Sequence, residues 1–146
     1  MADSAPAVVR RRLTQQELDA ICARHDRLWQ ARPGGARAVF AWMDLSGLSL
    51  KGRNLADADF AAACLIGTDL SGAKLDNATF FGADLQDALL VEASLRRADL
   101  RGACLRGADL SGADLFEADL REGAIAAADA KVGYRVVDAQ RRTLDG

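Results

Sequence analysis

Residues 98–120 read ADLRGACLRGADLSGADLFEADL, and five-residue units of this kind decide the fold of most of the chain. Every fifth residue is large and apolar through eighteen consecutive units, fourteen of which carry Leu. The residue two positions earlier is small, and it is Ala in thirteen of the eighteen units. Such fixed self-similarity is the signature of a repeat architecture. The large positions are Phe40, Leu45, Leu50, Leu55, Phe60, Leu65, Leu70, Leu75, Phe80, Leu85, Leu90, Leu95, Leu100, Leu105, Leu110, Leu115, Leu120 and Ile125.

A period of five suits neither of the regular elements. On an α-helix the large residues would be about 140° apart, and on a straight strand they would alternate between opposite faces. The chain must therefore bend once in each unit. Phe40, Phe60 and Phe80 are twenty residues apart, which is four units. This spacing predicts four sides per coil and a stacked column of the three Phe rings in the core.

Three quoted units, ADLRG at 98–102, ADLSG at 108–112 and ADLFE at 113–117, resemble the pentapeptide repeat family. The resemblance covers roughly residues 38–130. It implies an all-β solenoid, a right-handed quadrilateral (four-sided) parallel β-helix with the Leu, Phe and Ala positions inside. It implies no single activity, although some members mimic DNA and bind type II topoisomerases.

The N-terminal region predicts a helix that caps this solenoid. Thr14 to Glu17 matches a capping box, and Pro33 followed by two glycines ends the helical pattern. A helix with one apolar stripe can cover the open edge of the first coil, where backbone groups would otherwise lack partners. The alternative is a helix that binds another protein. The stripe, and hence the predicted contact face, consists of Leu18, Ile21, Cys22, His25, Leu28 and Trp29.

The chain therefore divides into a disordered N-terminus at 1–12, a capping helix at 13–37, the β-helix at 38–130 and a C-terminal strand or tail at 131–146. In the first coils, Arg53 replaces the usual small residue, so we expect it to reach an edge or a paired carboxylate. No C-terminal helix is evident. An open last coil would favour end-to-end self-association, and the alternative is that the chain is a fragment of a longer protein that supplies the cap.

Charge and cysteine content place further limits. The net charge is −2, but residues 38–130 carry fifteen acidic and eight basic residues, whereas both ends are mildly basic. Cys64 and Cys104 would lie two coils apart, too far for a disulfide. Because the N-terminus lacks a secretory h-region and no long apolar run is present, we expect no membrane span and a cytoplasmic location.

The search for catalytic or ligand-binding residues finds little. His25 is the only histidine and lies on the apolar stripe, so it is interpreted as a packed helix residue. The three cysteines are dispersed and give no metal-ligand spacing. Glycines at 67, 72, 82, 102, 107 and 112 recur at one position of the unit, which indicates corners. We expect no enzyme, no metal and no cofactor.

A carboxylate directly precedes the large residue in many units. The simple interpretation is local hydrogen bonding at turns, as Asp commonly does. The alternative is a column of charge that imitates DNA phosphates, although Arg96, Arg97, Arg101 and Arg106 would dilute it. The carboxylates are Asp44, Asp59, Asp69, Asp84, Asp99, Asp109, Asp114 and Asp119.

Five apolar residues occupy outward positions, and they form a candidate protein-binding patch or a lateral dimer contact. They are Ile66, Phe81, Leu89, Val91 and Phe116. The sequence thus favours a non-catalytic protein-interaction or scaffold module that binds a protein of unknown identity, with self-association through the C-terminal coil or a lateral face as an option. The alternative function is a DNA mimic that binds a topoisomerase or another DNA-handling enzyme. Direct nucleic-acid binding is not expected.

Overall fold

The computed structural model describes residues 10–122. A two-residue strand, β1 (Arg11–Arg12), precedes helix α1 (Gln15–Trp29), and strand β2 (Met43–Asp44) follows. From Val39 onward the chain winds in coils of twenty residues. Each coil pairs with the next through single parallel bridges, from Val39 with Asp59 to Asp99 with Asp119.

One unit shows how the coils are joined. The Leu65 N–H donates to the Asp84 carbonyl of the next coil at 2.7 Å, and the Cys64 N–H donates to the Met43 carbonyl of the previous coil at 2.9 Å. Within the unit, the Thr68 N–H donates to the Leu65 carbonyl at 3.1 Å and closes the corner. Because partners lie about one coil away in each direction, twenty residues is the period of the fold.

Every corner requires one residue with a positive φ angle, which glycine adopts without strain. Gly67 has φ 66° and Gly72 has φ 68°. The same position holds residues with side chains in other units, among them Ala62 at φ 57° and Glu92 at φ 57°. Those corners carry the steric cost that an L-residue meets in this conformation.

The core is a stack of large side chains. The large positions from Phe40 to Leu105 are at most 1% exposed. The ring centroids of Phe40 and Phe60 are 5.0 Å apart, and those of Phe60 and Phe80 are 4.7 Å apart with an interplanar angle of 2°. These distances match the strand spacing of about 4.8 Å, so one ring lies on each coil.

The N-terminal segment adds a strand to the first coil. Arg11 pairs with Met43 and Arg12 with Asp44 in parallel, and the Leu13 N–H donates to the Asp44 carbonyl at 3.1 Å. The prediction that residues 1–12 are disordered is therefore wrong for β1. The exposed edge of β2 supplies backbone partners that order this short segment, a tertiary effect with no local sequence signal.

Helix α1 begins at the predicted capping box. The Glu17 N–H donates to the Thr14 hydroxyl at 3.1 Å, and the Thr14 N–H donates to the Glu17 carboxylate at 2.9 Å. The hydrogen bond from the Thr14 backbone holds the pKa of Glu17 below its usual value. Among the residues that the structure describes, no helix is long and apolar enough to cross a bilayer.

The predicted contact stripe of α1 is only partly turned inward. Leu18, Cys22 and His25 are buried and Ile21 packs against the core cluster. Leu28 and Trp29 are instead 47% and 51% exposed, which corrects the stripe at its C-terminal end. The returning chain packs directly against this last turn, where a Cβ atom on Gly35 would clash with the Leu28 backbone nitrogen, so the helix end contacts the loop and these two side chains face solvent.

The C-terminal predictions fall largely outside the described residues. The β-helix is seen to Leu120, and Leu110, Leu115 and Leu120 pack against the core cluster while remaining partly exposed. The predicted strand or tail at 131–146 lies outside residues 10–122, as do the last units of the repeat.

Candidate interaction surfaces

The first coil exposes backbone groups that a previous coil would normally bind, and side chains near α1 bind several of them. The side-chain amide of Gln15 accepts from the Ser49 N–H at 2.8 Å and donates to the Ser49 carbonyl at 2.8 Å. One amide side chain therefore makes both hydrogen bonds that a neighbouring strand would make. Arg12 donates to the Ser46 carbonyl at 2.6 Å.

His25 joins two further backbone groups of the first coil. The Ala38 N–H donates to Nδ1 at 2.9 Å, so Nδ1 must be unprotonated. Nε2 then carries the proton and donates to the Ala56 carbonyl at 2.9 Å. Because the ring is fully buried, both hydrogen bonds replace water that these groups cannot reach. The geometry agrees with the interpretation of His25 as a packed residue and gives no catalytic arrangement around it.

Arg53 of the first coil makes ion pairs with helix α1. Its guanidinium lies 2.9 Å from Asp19 and 4.0 Å from Asp26, both on the helix. The expectation that Arg53 reaches a paired carboxylate is confirmed. The larger inner residues Met43 and Leu48 also pack against the core cluster, in units where the small position of the repeat is not Ala.

Two cysteines have environments that disfavour the reactive thiolate. Burial raises the pKa of Cys22 to about 11. Burial also raises the pKa of Cys64. In residues 10–122, no group of three or more His, Cys, Asp or Glu residues is placed to hold a metal ion.

The eight carboxylates that precede large residues share one local hydrogen bond. Each Oδ1 atom accepts from the backbone N–H two residues later, for example Asp69 from Ser71 at 3.0 Å and Asp59 from Ala61 at 2.9 Å. The simple interpretation of these residues as turn formers is confirmed. The remaining pairs are Asp44–Ser46, Asp84–Gln86, Asp99–Arg101, Asp109–Ser111, Asp114–Phe116 and Asp119–Arg121.

Arginines pair with several carboxylates of the last described coils. Arg101 lies 2.8 Å from Asp99, Arg121 lies 2.7 Å from Asp119, and Arg96 lies 2.9 Å from Asp114. The hydrogen bonds from Arg121 lower the pKa of Asp119 to about 2. This part of the rod therefore presents ion pairs and no continuous negative column.

The five outward apolar residues do not meet on one face. They neighbour Leu65, Phe80, Leu90 and Leu115, which occupy the four different sides of the coil. Ile66 and Leu89 are 38% and 41% exposed, and Val91 is half-buried. Phe81 is half-buried with the Arg101 guanidinium 5.4 Å from its ring centroid, and Arg96 lies 4.6 Å from the ring of exposed Phe116.

A second apolar surface lies beside α1, where the sequence analysis expected buried contacts. We define the α1 groove as the shallow cleft of about 350 Å³ lined by His25, Leu28, Trp29, Arg37 and Asp57. Near the same end of the rod, Val39 and Trp42 are 45% and 54% exposed. One signal was available in the sequence: Trp42 occupies a corner position, where a large side chain must point outward.

The comparisons with known proteins agree with this architecture. The family model for pentapeptide repeats matches eight copies over residues 36–72, 54–91, 78–115 and 93–123. These matches cover more than half of the sequence, so the chain belongs to the pentapeptide repeat family. None of the curated proteins with which the sequence was compared matches it.

Two solved structures define the fold further. A pentapeptide repeat protein from the Arabidopsis thaliana thylakoid lumen is 43% identical over 51% of this chain and 52% of its own, with a TM-score of 0.51. The match thus spans about half the length of that protein. A pentapeptide repeat protein from Nostoc PCC 7120 is 28% identical over 72% of this chain and 77% of its own, with a TM-score of 0.57. These pentapeptide repeat proteins form right-handed β-helices, and the coils described above have the same fold.

Proposed function

We propose that this protein is a non-catalytic interaction or scaffold module in the cytoplasm. The observation that carries the proposal is a rigid rod with a polar surface from which large apolar side chains project, including Trp29, Trp42 and Phe116. Burying such side chains against a partner releases their apolar surface from water, and aromatic residues are prominent among interface hot spots. The thiols of Cys22 and Cys64, which form no disulfide, fit a reducing compartment.

Helix α1 acts in this proposal as an N-terminal cap. The hydrogen bonds of Gln15 and His25 to the first coil support that role, because they occupy groups that could otherwise pair with a strand of another molecule. With this edge covered, association through the strands at this end is disfavoured. Self-association would then use a lateral face or the C-terminal coil.

The alternative function, a DNA mimic that binds a DNA-handling enzyme, requires a continuous row of unpaired carboxylates. Asp99, Asp114 and Asp119 are instead paired with arginines, and their Oδ1 atoms hold local turns. These pairings interrupt the negative charge toward the end of the described rod, which supports the interaction module.

The test is capture of partners from lysate of the source organism by the tagged full chain. Wild type is compared with a Leu89→Lys, Val91→Glu variant and with a Thr79→Glu, Gln86→Lys control that introduces the same charges on other sides. Light scattering of each purified protein reports self-association. A partner or an oligomer shared by wild type and control supports the module, and its loss in the first variant places the contact near Leu89. A monomer that captures no protein contradicts the proposed function, and capture of a topoisomerase that DNA displaces favours the alternative.

A further inference from the structure

The α1 groove combines an apolar wall with a hydrogen-bond donor that lacks a suitable acceptor. Leu28 and Trp29 form the exposed apolar part. The Trp29 indole N–H lies 3.1 Å from Nε2 of His25, but that nitrogen donates its own proton to the Ala56 carbonyl. Two N–H groups cannot form a hydrogen bond with each other. In this position the indole N–H faces the His25 ring without an acceptor, and an acceptor brought by a ligand would satisfy it once the indole turns toward the groove.

Exposed arginines are numerous at this end of the molecule. Arg37 lines the groove together with Asp57, and Arg24, Arg27 and Arg32 lie on α1 and in the loop that follows it. None of the four makes an ion pair within residues 10–122. The acidic residues of α1 do not offset them. Glu17 is paired with Arg11, and Asp19 and Asp26 face Arg53. This end of the molecule thus carries unpaired cations beside an apolar cleft.

Arg37 is the positive charge that lies directly at the apolar groove. Its Nε donates to the Asp57 carbonyl at 2.6 Å, which holds the side chain at the groove while the rest of the guanidinium stays exposed. Guanidinium groups bind carboxylates through paired N–H donors. A carboxylate beside a bound apolar side chain would therefore meet a positioned partner.

These contacts identify the chemistry of the occupant. A volume of about 350 Å³ is at the lower end of the range of about 300–1,000 Å³ for small-ligand pockets, which suits one large side chain and its flanks. Nucleic acid fits less well, because a duplex that reaches this end would extend along the acidic β-helix, whereas a short peptide meets only the Asp57 carboxylate, which Arg37 adjoins on the groove wall. A short peptide stays within the basic end, since screening limits repulsion to about 8 Å at physiological salt.

We propose that the α1 groove binds a short acidic segment of a partner protein that inserts one large apolar side chain between Leu28 and Trp29. Carboxylates that flank this side chain bind Arg37 and the neighbouring arginines, and a carbonyl or carboxylate oxygen accepts from the Trp29 indole. The proposal rests on the proposed interaction function and gives that function a site and a partner chemistry. It also assigns the exposed end of α1 a role separate from its buried face.

The test is selection of a random twelve-residue displayed peptide library on the immobilised full chain, followed by fluorescence polarisation with the enriched peptides. The expected peptides have a net negative charge and a central aromatic residue or Leu. Trp29→Ala is expected to weaken binding about tenfold or more, as for central hot-spot residues. Arg37→Gln is expected to weaken it about fivefold, whereas Arg37→Lys, which keeps the charge, costs less. Binding should weaken severalfold between about 50 mM and about 500 mM NaCl.

Matched controls separate the groove from the rest of the surface. Trp42→Ala removes another exposed Trp near the same end, and Arg97→Gln removes an exposed Arg on the rod, so both should change affinity less than about twofold. Thermal unfolding checks that each variant is folded.

Each other outcome overturns the groove proposal. Enrichment of basic peptides, binding of a single-stranded oligonucleotide in preference to the peptides, or equal affinity of wild type and Trp29→Ala would contradict it. So would a selection that enriches no peptide. The proposed function is judged separately by lysate capture and light scattering: partners that bind the Trp29→Ala variant unchanged leave the module intact and remove only this site.

Discussion

The backbone N–H and carbonyl groups of the first coil and of the interior coils find hydrogen-bond partners of different kinds. In the interior, backbone groups bind backbone groups of adjacent coils, as Leu65 does with Asp84 at 2.7 Å. At the first coil, the side chains of Arg12, Gln15 and His25 take the place of the missing coil. The interior therefore depends mainly on the inner residues and on the backbone ladder, whereas the edge depends on individual side chains with donors and acceptors in set positions.

The largest effect is expected in the interior core. Phe60→Ala removes a ring that stacks on Phe40 and on Phe80, and it leaves a cavity between coils that the backbone ladder prevents from collapsing. The expected loss is about 3–5 kcal/mol of unfolding free energy. Urea denaturation measures it. Phe81→Ala is the control, because this neighbouring ring is only half-buried and points outward. Equal losses in the two variants would contradict the inward column.

A smaller effect is expected at the first edge. Gln15→Glu keeps an acceptor for the Ser49 N–H but removes the donor to the Ser49 carbonyl, and it places a negative charge against that oxygen. We expect a loss of about 1–3 kcal/mol. Gln16→Glu adds the same charge to the same exposed turn and should be neutral or slightly stabilising. If thermal unfolding shows the same stability for both variants, the Gln15 amide does not replace a strand.

At one corner residue, a substitution is expected to increase the stability of the protein. Glu92 is exposed and has φ 57°, so Glu92→Gly should relieve about 1 kcal/mol of backbone strain. In another unit, Ser71 lies just before the positive-φ residue of its corner and does not itself have a positive φ. Ser71→Gly should therefore lower the stability by about 0.5–1 kcal/mol. Calorimetry of both variants should give shifts of opposite sign. A fall in stability for Glu92→Gly would mean that the corner is not strained.

The smallest expected effect is a loss of stability at acid pH. The hydrogen bonds from Arg101 lower the pKa of Asp99, and those from Arg121 lower the pKa of Asp119 to about 2. A carboxyl group whose pKa is lower in the folded state stabilises the protein above its unfolded value of about 4, and this contribution is lost as the pH falls toward 2.

The melting temperature should therefore decline modestly between about pH 5 and about pH 2. Because these pairs are exposed, Asp119→Asn should reduce the decline only slightly. A melting temperature that rises on acidification would contradict these pairings.

The sequence predicted the parts of this structure that repeat. Spacing of twenty between Phe40 and Phe60 indicates the coil, and the Asp positions indicate turns, because each statement depends on contacts that recur in every unit. The sequence did not predict β1, which forms only because β2 offers an edge. It also placed Leu28 and Trp29 in a buried stripe, since helical periodicity cannot show that a returning loop packs against the last turn of the helix at Gly35. The exposed Leu28 and Trp29 side chains line the α1 groove.

The most direct test of the proposed N-terminal cap is amide hydrogen exchange at Ala38 and Ser49, compared with Asp84 in the interior. The first two amides donate to the side chains of His25 and Gln15, and the third donates to the Ala63 carbonyl. We expect all three to be protected in the wild type, and His25→Ala to release Ala38 selectively while Arg24→Ala, a change on the exposed face of α1, does not. Fast exchange of Ala38 and Ser49 in the wild type, with Asp84 protected, would show that α1 does not seal the first coil.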